Sequence, residues 1–370
     1  MSQLSPSSLV DYILEMACAI QQIQAPTFQE DSRAEWIKQH FILESLSNVF
    51  RDQVGNLFAL IPGGEAAPLV VSAHLDTVHP RSDSIPLSRL KNRINGPGIG
   101  DNSLGLAALL GVARWSQQIQ YKPPGDLWLV ATVGEEGLGN LYGMQAVVER
   151  FTNHPLAYLV LEGIGLGNLN HRALGVERYK ISIRTTGGHS WADYGTPSAV
   201  HELARLIVSL TALSLPRNPR TTLNVGIIQG GSSVNTIAAH AHLEIDLRSE
   251  DHQSLKRLVR RVQRRVKRLE RPGIHLDMEL IGRRPAGEIS ANHPLVSLAQ
   301  ALLQKAGITP HLSIASTDAN FPLSRGLPAL CFGLTTGGNT HSEEEYIEVE
   351  PLRQGLKFLL NMIQSIWKLP

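Results

Sequence analysis

The chain has 370 residues, 42% of them apolar, with 34 basic and 33 acidic side chains and a net charge of +1. That length and apolar share allow two or three domains with a sizeable core, and the balanced charge argues against a general nucleic-acid or membrane-surface binder. Cys18 and Cys331, the only cysteines, make no disulfide framework and point to a reducing compartment, so a cytoplasmic protein is expected.

Met1–Pro6 has no basic n-region, and Asp11 and Glu15 interrupt Leu9, Val10, Ile13, Leu14 and Ile20, so the N-terminus reads as an amphipathic helix and not a signal peptide. No apolar run is long enough to span a bilayer. The i, i+3, i+4 apolar spacing predicts helices over 7 to about 22 and 31 to about 47, followed by strands at 56–61 and 69–73. A helix is expected at 104–117, a buried strand at 127–133, a helix at 141–151 and a strand at 157–161. Strands alternating with helices imply an α/β domain with a mixed, mostly parallel sheet covered by helices.

The pattern changes near Val176. Residues 177–184 alternate as a strand, 198–213 read as a helix, 222–228 and 239–248 as strands, 254–269 as a helix and 273–281 as a strand. That βαββαβ order predicts an inserted ferredoxin-like α+β domain over 175–285. The catalytic, metal-binding domain would then comprise 1–174 and 286–370, resuming with a helix at 294–307, strands near Ser313 and at 329–332, and a helix at 352–367.

Five potential metal ligands are spread along the first of these domains. His74 and Glu162 follow strand-like runs, Asp101 closes the turn Gly96-Pro97-Gly98-Ile99-Gly100, Glu136 follows the strand at 127–133, and His341 precedes Ser342-Glu343-Glu344. Two imidazoles and three carboxylates form a nitrogen–oxygen set suited to two zinc-like ions sharing a bridging carboxylate. Ligands at the ends of parallel strands would converge at one sheet edge. Asp76, two residues after His74, lies on the same side of the strand end and can hold the imidazole by a hydrogen bond. Of Glu135 and Glu136, one can bind an ion while the other accepts a proton from the attacking water. Taken singly, each of these residues is equally a cap, a loop charge or a packing histidine. The Gly-rich turn fails as a dinucleotide fingerprint, because Asp101 stands where the third glycine belongs and would repel phosphate.

In the second domain, His189 sits in Gly187-Gly188-His189-Ser190, and Asn235 and Arg248 bracket a hairpin. Arg248 can pair with a substrate carboxylate or can be a strand-end charge. Between Lys256 and Arg268, paired basic residues alternate with Leu255, Leu258, Val259, Val262, Val266 and Leu269. This is an amphipathic helix with a solvated basic face. RNA binding is the lesser reading, since no aromatic side chains interleave.

In order along the chain come Ser72-Ala73-His74-Leu75-Asp76, Gly100-Asp101-Asn102, Gly134-Glu135-Glu136-Gly137, Gly187-Gly188-His189-Ser190, Val234-Asn235-Thr236-Ile237, Asp246-Leu247-Arg248, Ser316-Thr317-Asp318-Ala319 and His341-Ser342-Glu343-Glu344-Glu345-Tyr346. Together they resemble the zinc exopeptidase and amidohydrolase family of glutamate carboxypeptidase, acetylornithine deacetylase, succinyl-diaminopimelate desuccinylase, aminoacylase and tripeptide aminopeptidase. The resemblance implies that Asp101 bridges two divalent ions, zinc with cobalt and manganese as alternatives. His74 and Glu162 would complete one metal site, and Glu136 and His341 the other. It further implies Glu135 as general base, Asp76 as the residue orienting His74, and a cis peptide between Asp101 and Asn102. His189 would reach the active site of a partner subunit to stabilise an oxyanion, which requires a homodimer, and Asn235 and Arg248 would contact substrate. The chain departs from the family at Ser103-Leu104-Gly105, where many members carry Met-Lys-Gly. It also departs at Ala238, where Pro is common, and at Glu162, where many carry Asp. The function so implied is exopeptidase hydrolysis of small peptides. The alternatives are deacylation of an N-acyl amino acid, and a non-catalytic binding protein on the same fold.

Overall fold

The computed structural model describes residues 6–151 and 155–369. Residues 1–5, part of the segment lacking a basic n-region, lie outside the described residues. The chain divides into two compact units: Met1–Ala173 with Glu288–Pro370, and Leu174–Gly287.

The first unit is a mixed α/β layer structure. Its central sheet runs Val49–Arg51, Leu57–Ile61, Gly125–Thr132, Ala66–His74, Ala157–Ile164, Ala329–Thr335, Asn168–Ala173, with His311–Ala315 pairing to Asn168–Ala173. The strands Gly125–Thr132, Ala66–His74, Ala157–Ile164 and Ala329–Thr335 are neighbours and all parallel. Their C-terminal ends therefore open on one edge, where ligands collect in open α/β sheets. Successive side chains of Ala329–Thr335 are all buried, as are the last six of Ala66–His74. Because neighbouring strand residues point to opposite faces, both faces of the sheet must be covered. The helices Pro6–Gln21, Asp31–Leu43, Leu104–Gln118, Tyr142–Arg150, Pro294–Lys305 and Leu352–Ser365 belong to this unit.

Sequence periodicity locates the long elements but misplaces some of their ends. The strand expected at 157–161 continues to Ile164, so Glu162 lies within it and not after it. The helix expected at 352–367 stops at Ser365 and finishes in a tighter turn, Ile366–Lys368. Among the strands that went unseen are four short ones: Ser88–Arg89, Arg93–Asn95, Gly337–Gly338 and Tyr346–Glu348. They form a small antiparallel sheet that joins the segment before Asp101 to the segment around His341.

The second unit is a βαββαβ, ferredoxin-like domain. Its strands stand in the order Thr221–Gly230, His240–Ser249, Gly175–Thr185, Ile274–Arg284, all antiparallel. Helices Ala199–Thr211 and His252–Lys267 pack on the sheet through Leu203, Leu206, Leu210, Leu255, Leu258 and Val262. Asp251 caps the second helix by accepting from Ser254 N at 2.7 Å, which stabilises it by about 0.5–2 kcal/mol. Lys256, Arg257, Arg260, Arg264, Lys267 and Arg268 are exposed on that helix while its apolar positions are buried, as an amphipathic surface helix requires.

Candidate metal centre

Each candidate side chain of the first unit is delivered by the C-terminal edge of a parallel strand or by a turn beside it. His74 is the last residue of its strand, and Glu162 is two residues from the end of the adjacent one. Glu135 and Glu136 follow Thr132 through Gly134, whose φ of +66° and contact with the Tyr142 ring leave no room for a Cβ. Asp101 lies in the irregular turn Ile99–Ser103, ahead of helix Leu104–Gln118. The Asp101–Asn102 peptide is cis, as the resemblance implies. Asn102 anchors this turn to the sheet, donating from Nδ2 to Leu161 O at 2.8 Å. His341 stands in the loop between Gly337–Gly338 and Tyr346–Glu348.

These residues meet. His74 Nε2 donates to Asp101 Oδ1 at 2.9 Å and lies 3.6 Å from Glu162 Oε2. His341 Nε2 lies 3.0 Å from Asp101 Oδ2 and 3.2 Å from Glu136 Oε1. The two oxygens of one carboxylate thus face two different imidazoles, each accompanied by a further carboxylate. Ligand atoms of His74, Asp101 and Glu162 lie within 4.8 Å of one another, and so do those of Asp101, Glu136 and His341. Glu135, 5% exposed, also brings a carboxylate oxygen within 4.8 Å of ligand atoms of His74 and Glu136.

Protons are held where cations would be. Burial of the His74 imidazole works against its charged form, yet its bonds to Asp101, Asp76 and Glu162 hold its pKa well above the ordinary value. Bonds to Asp101 and Glu136 push His341 up to about 10, against partial burial. Burial would raise Asp101, but its bonds to His341 and His74 keep it below the usual carboxylate range. Burial pushes Glu162 up to about 7, opposed by its bond with His74 and aided by the charges of Asp101 and Glu136. Imidazole must be neutral to bind an ion, so cation binding has to displace these protons. Zinc affinity is therefore expected to fall as pH falls and to rise toward the pKa of His341. Calorimetry near pH 7 in buffers of different protonation heat should report release of on the order of two protons per pair of ions. No release would show that the imidazoles are not ligands.

Asp76 does more than orient His74. His74 Nδ1 donates to the backbone carbonyl of Asp76 at 3.0 Å, and the Asp76 carboxylate is farther away at 3.4 Å. That carboxylate accepts from Glu135 N at 3.0 Å, Glu136 N at 2.8 Å and Thr27 Oγ1 at 2.8 Å, so it also holds the two glutamates in place. Further supporting residues carried no sequence signal strong enough to single them out. Glu30 accepts from Gly134 N at 3.1 Å, buried Arg33 donates to Leu75 O at 2.8 Å, and Thr132 Oγ1 donates to Asp318 Oδ2 at 2.6 Å. Glu345 lies in the run His341-Ser342-Glu343-Glu344-Glu345-Tyr346, and nothing in its spacing reveals its partners.

His189, Asn235 and Arg248 belong to the second unit. A two-residue pairing sets His189 opposite Thr236, and Ser190 N donates to Asn235 O at 3.0 Å, so His189 and Asn235 are neighbours. His189 is exposed, and its Nδ1 accepts from Trp191 N at 3.2 Å and Ala192 N at 3.4 Å. An imidazole whose Nδ1 accepts carries its proton on Nε2, which leaves Nε2–H as an outward donor. Arg248 grips Asp246, Nε to Oδ1 at 2.6 Å and Nη2 to Oδ2 at 3.3 Å. The fork expected to meet a substrate carboxylate is thus engaged within the chain.

An α/β sheet that gathers imidazoles and carboxylates at the C-terminal edge of its parallel strands is an arrangement able to hold metal ions. The family model for peptidase family M20/M25/M40 matches residues 70–365. The chain belongs to this family, and it is a hydrolase. A peptidase M20 domain-containing protein of Schizosaccharomyces pombe is 25% identical over 83% of this chain and 72% of its own length. An acetylornithine deacetylase of Buchnera aphidicola is 23% identical over 92% of this chain and 95% of its own. A probable carboxypeptidase of Aspergillus terreus is 29% identical over 52% of this chain and 47% of its own, so the alignment spans about half of that relative. Among solved structures, a tripeptidase of Staphylococcus aureus has a TM-score of 0.82 at 22% identity, covering 99% of this chain and 100% of that one. The aminopeptidase PepT of Bacillus cereus has a TM-score of 0.78 at 22% identity, covering 98% and 99%. These likenesses establish the fold. Among the described residues, no helix is long and apolar enough to cross a membrane.

Proposed function

We propose that this chain is an exopeptidase for small peptides that works with two divalent ions, zinc with cobalt and manganese as alternatives. One observation carries the reading: Asp101 turns one oxygen to His74 and the other to His341, each within reach of a second carboxylate. His74, Asp101 and Glu162 would hold one ion, and Asp101, Glu136 and His341 the other. When bound, the ions supply Lewis-acid polarisation of the scissile carbonyl and acidify water. Glu135 accepts the proton of the attacking water at its carboxylate and returns it to the leaving amine. Asp76 fixes the backbone of Glu135 and Glu136, so that base and ligand keep separate directions. His189 Nε2–H would stabilise the oxyanion, with Asn235 at the substrate and Arg248 meeting it on exchanging Asp246 for a substrate carboxylate.

Residues 1–174 and 286–370 form the catalytic domain in this reading, and 175–285 the lid through which a homodimer assembles. A cytoplasmic location fits Cys18 and Cys331, which are both free and buried. If His189 serves the partner subunit, His189→Ala and His74→Ala, each inactive alone, are expected to regain partial activity when mixed as heterodimers. Absence of any recovery would remove action across subunits.

A second reading, deacylation of an N-acyl amino acid, is favoured by the near full-length alignment with the Buchnera deacetylase. A panel of dipeptides, tripeptides and N-acyl amino acids, incubated with zinc- or cobalt-loaded protein and followed by mass spectrometry, separates the two. Release from unblocked peptides is the expected result. Release from acylated amino acids alone would select the second reading.

A further inference from the structure

His74 and Glu162 ride on strands of the central sheet, and Asp76 pins Glu135 and Glu136. Asp101 and His341 ride on no strand, and the Asp101 turn meets the sheet through Asn102, which donates to Leu161 O. Asp101 sits in an irregular turn, and His341, whose side chain is 55% exposed, sits in a loop with left-handed backbone at Asn339 and at His341 itself. What links these two segments is Glu345, four residues past His341. Its side chain is wholly buried. Its Oε1 accepts from Gly100 N at 2.7 Å and Asp101 N at 2.8 Å, and its Oε2 accepts from Gly98 N at 3.0 Å. Its backbone carbonyl accepts from Gly96 N at 2.8 Å, and the next residue, Tyr346, pairs with Asn95. The amides of Gly96, Gly98, Gly100 and Asp101, in and before the turn that presents Asp101, therefore end on one residue of the His341 loop. A Cβ at Gly100 would stand 3.1 Å from Glu345 Oε1 and 2.4 Å from the Ile164 side chain, so the glycine keeps this approach open.

We propose that Glu345 is a positioning residue that sets the Asp101–His341 half of the metal centre. The proposal rests on the two-ion reading above. A run of backbone N–H groups converging on one carboxylate is a nest, here filled from within the chain. It holds the Asp101 side chain toward His341 before any ion arrives, and it fixes the distance between the two ligand-bearing segments. The other half shares Asp101 but takes His74 and Glu162 from strands, so it depends on Glu345 less.

The test is calorimetric zinc titration of chelator-stripped wild type, Glu345→Gln and, as a control at an exposed neighbour, Glu344→Gln, each with its metal-free melting curve. Gln at 345 sets an NH2 against one of the turn's N–H donors. Wild type and Glu344→Gln are expected to bind two ions. Glu345→Gln should keep one tight ion and bind the second about 10–100-fold more weakly, the usual cost of losing an outer hydrogen-bond partner. A Glu345→Gln protein that melts lower but binds both ions with wild-type affinity would reduce Glu345 to a structural residue and overturn the proposal. Amide exchange of the wild-type protein guards against a variant that does not fold. Gly98, Gly100 and Asp101 should be protected without zinc, and protection that appears only with zinc would assign the turn to the metal and not to Glu345. If wild type binds no ion, the two-ion reading itself fails. If wild type binds two and Glu345→Gln matches it, only the role of Glu345 falls.

Discussion

Glu135→Gln is expected to bind two zinc ions like wild type and to lose about 10²–10⁴ in kcat, the range that a positioned general base contributes. The amide keeps the shape of the side chain and leaves the backbone bond from Glu135 N to Asp76 intact. It removes the negative charge and with it the capacity to accept a proton. KM should change little, because the lost interaction belongs to the transition state. The geometry leaves a rival open to the same experiment: Glu135 shares a ligand-sized cluster with His74 and Glu136. Loss of an ion in Glu135→Gln, measured by calorimetry or elemental analysis, would make Glu135 a ligand and send the base elsewhere.

Asp101→Asn should abolish activity by removing the shared ligand. The substitution preserves the backbone N–H that Glu345 accepts, so the turn should persist. A neutral amide has one oxygen in place of two equivalent anionic ones and cannot serve both His74 and His341 sides. At most one ion should remain tight, and the affinity lost for the other should exceed the roughly 10–100-fold expected of an outer partner. A second readout is thermal. An ion at one hundred times its Kd adds about 2.7 kcal/mol of stability per site. Chelator should therefore lower the melting temperature of wild type substantially and that of Asp101→Asn much less. Equal responses would place the bridging role on another carboxylate.

The candidate ligands His74, Asp101, Glu136 and Glu162 were legible in the sequence because each follows a feature with its own local signal, whereas His341 does not. Buried strands announce themselves as apolar runs, and His74, Glu136 and Glu162 lie at or just past such runs. The βαββαβ unit was legible for the same reason, since alternation and helical spacing are properties of neighbours in the chain. The small sheet at 88–95 and 337–348 left no trace, being built from pairs of two or three residues whose only strong signal is the partner. Glu345 was hidden likewise. Its acceptors' partners lie about 245 positions earlier, and a carboxylate capping a turn looks in sequence like any solvated glutamate. Arg248 reads as a free cation until Asp246, two residues before it on the same strand face, is seen to fill its fork.

By itself, then, the amino-acid order determined most of the longer elements, that they divide into an α/β layer and a ferredoxin-like insertion, and which side chains are chemically able to hold ions. Period-two and period-3.6 burial are local, and they survive translation into one dimension. Only the tertiary structure decided which oxygen of Asp101 faces which histidine, that Asp76 serves the glutamates as much as His74, and that Glu345 ties two distant loops together. Those are matters of direction and distance between segments far apart in the chain, settled by strand order and by where buried amides find acceptors.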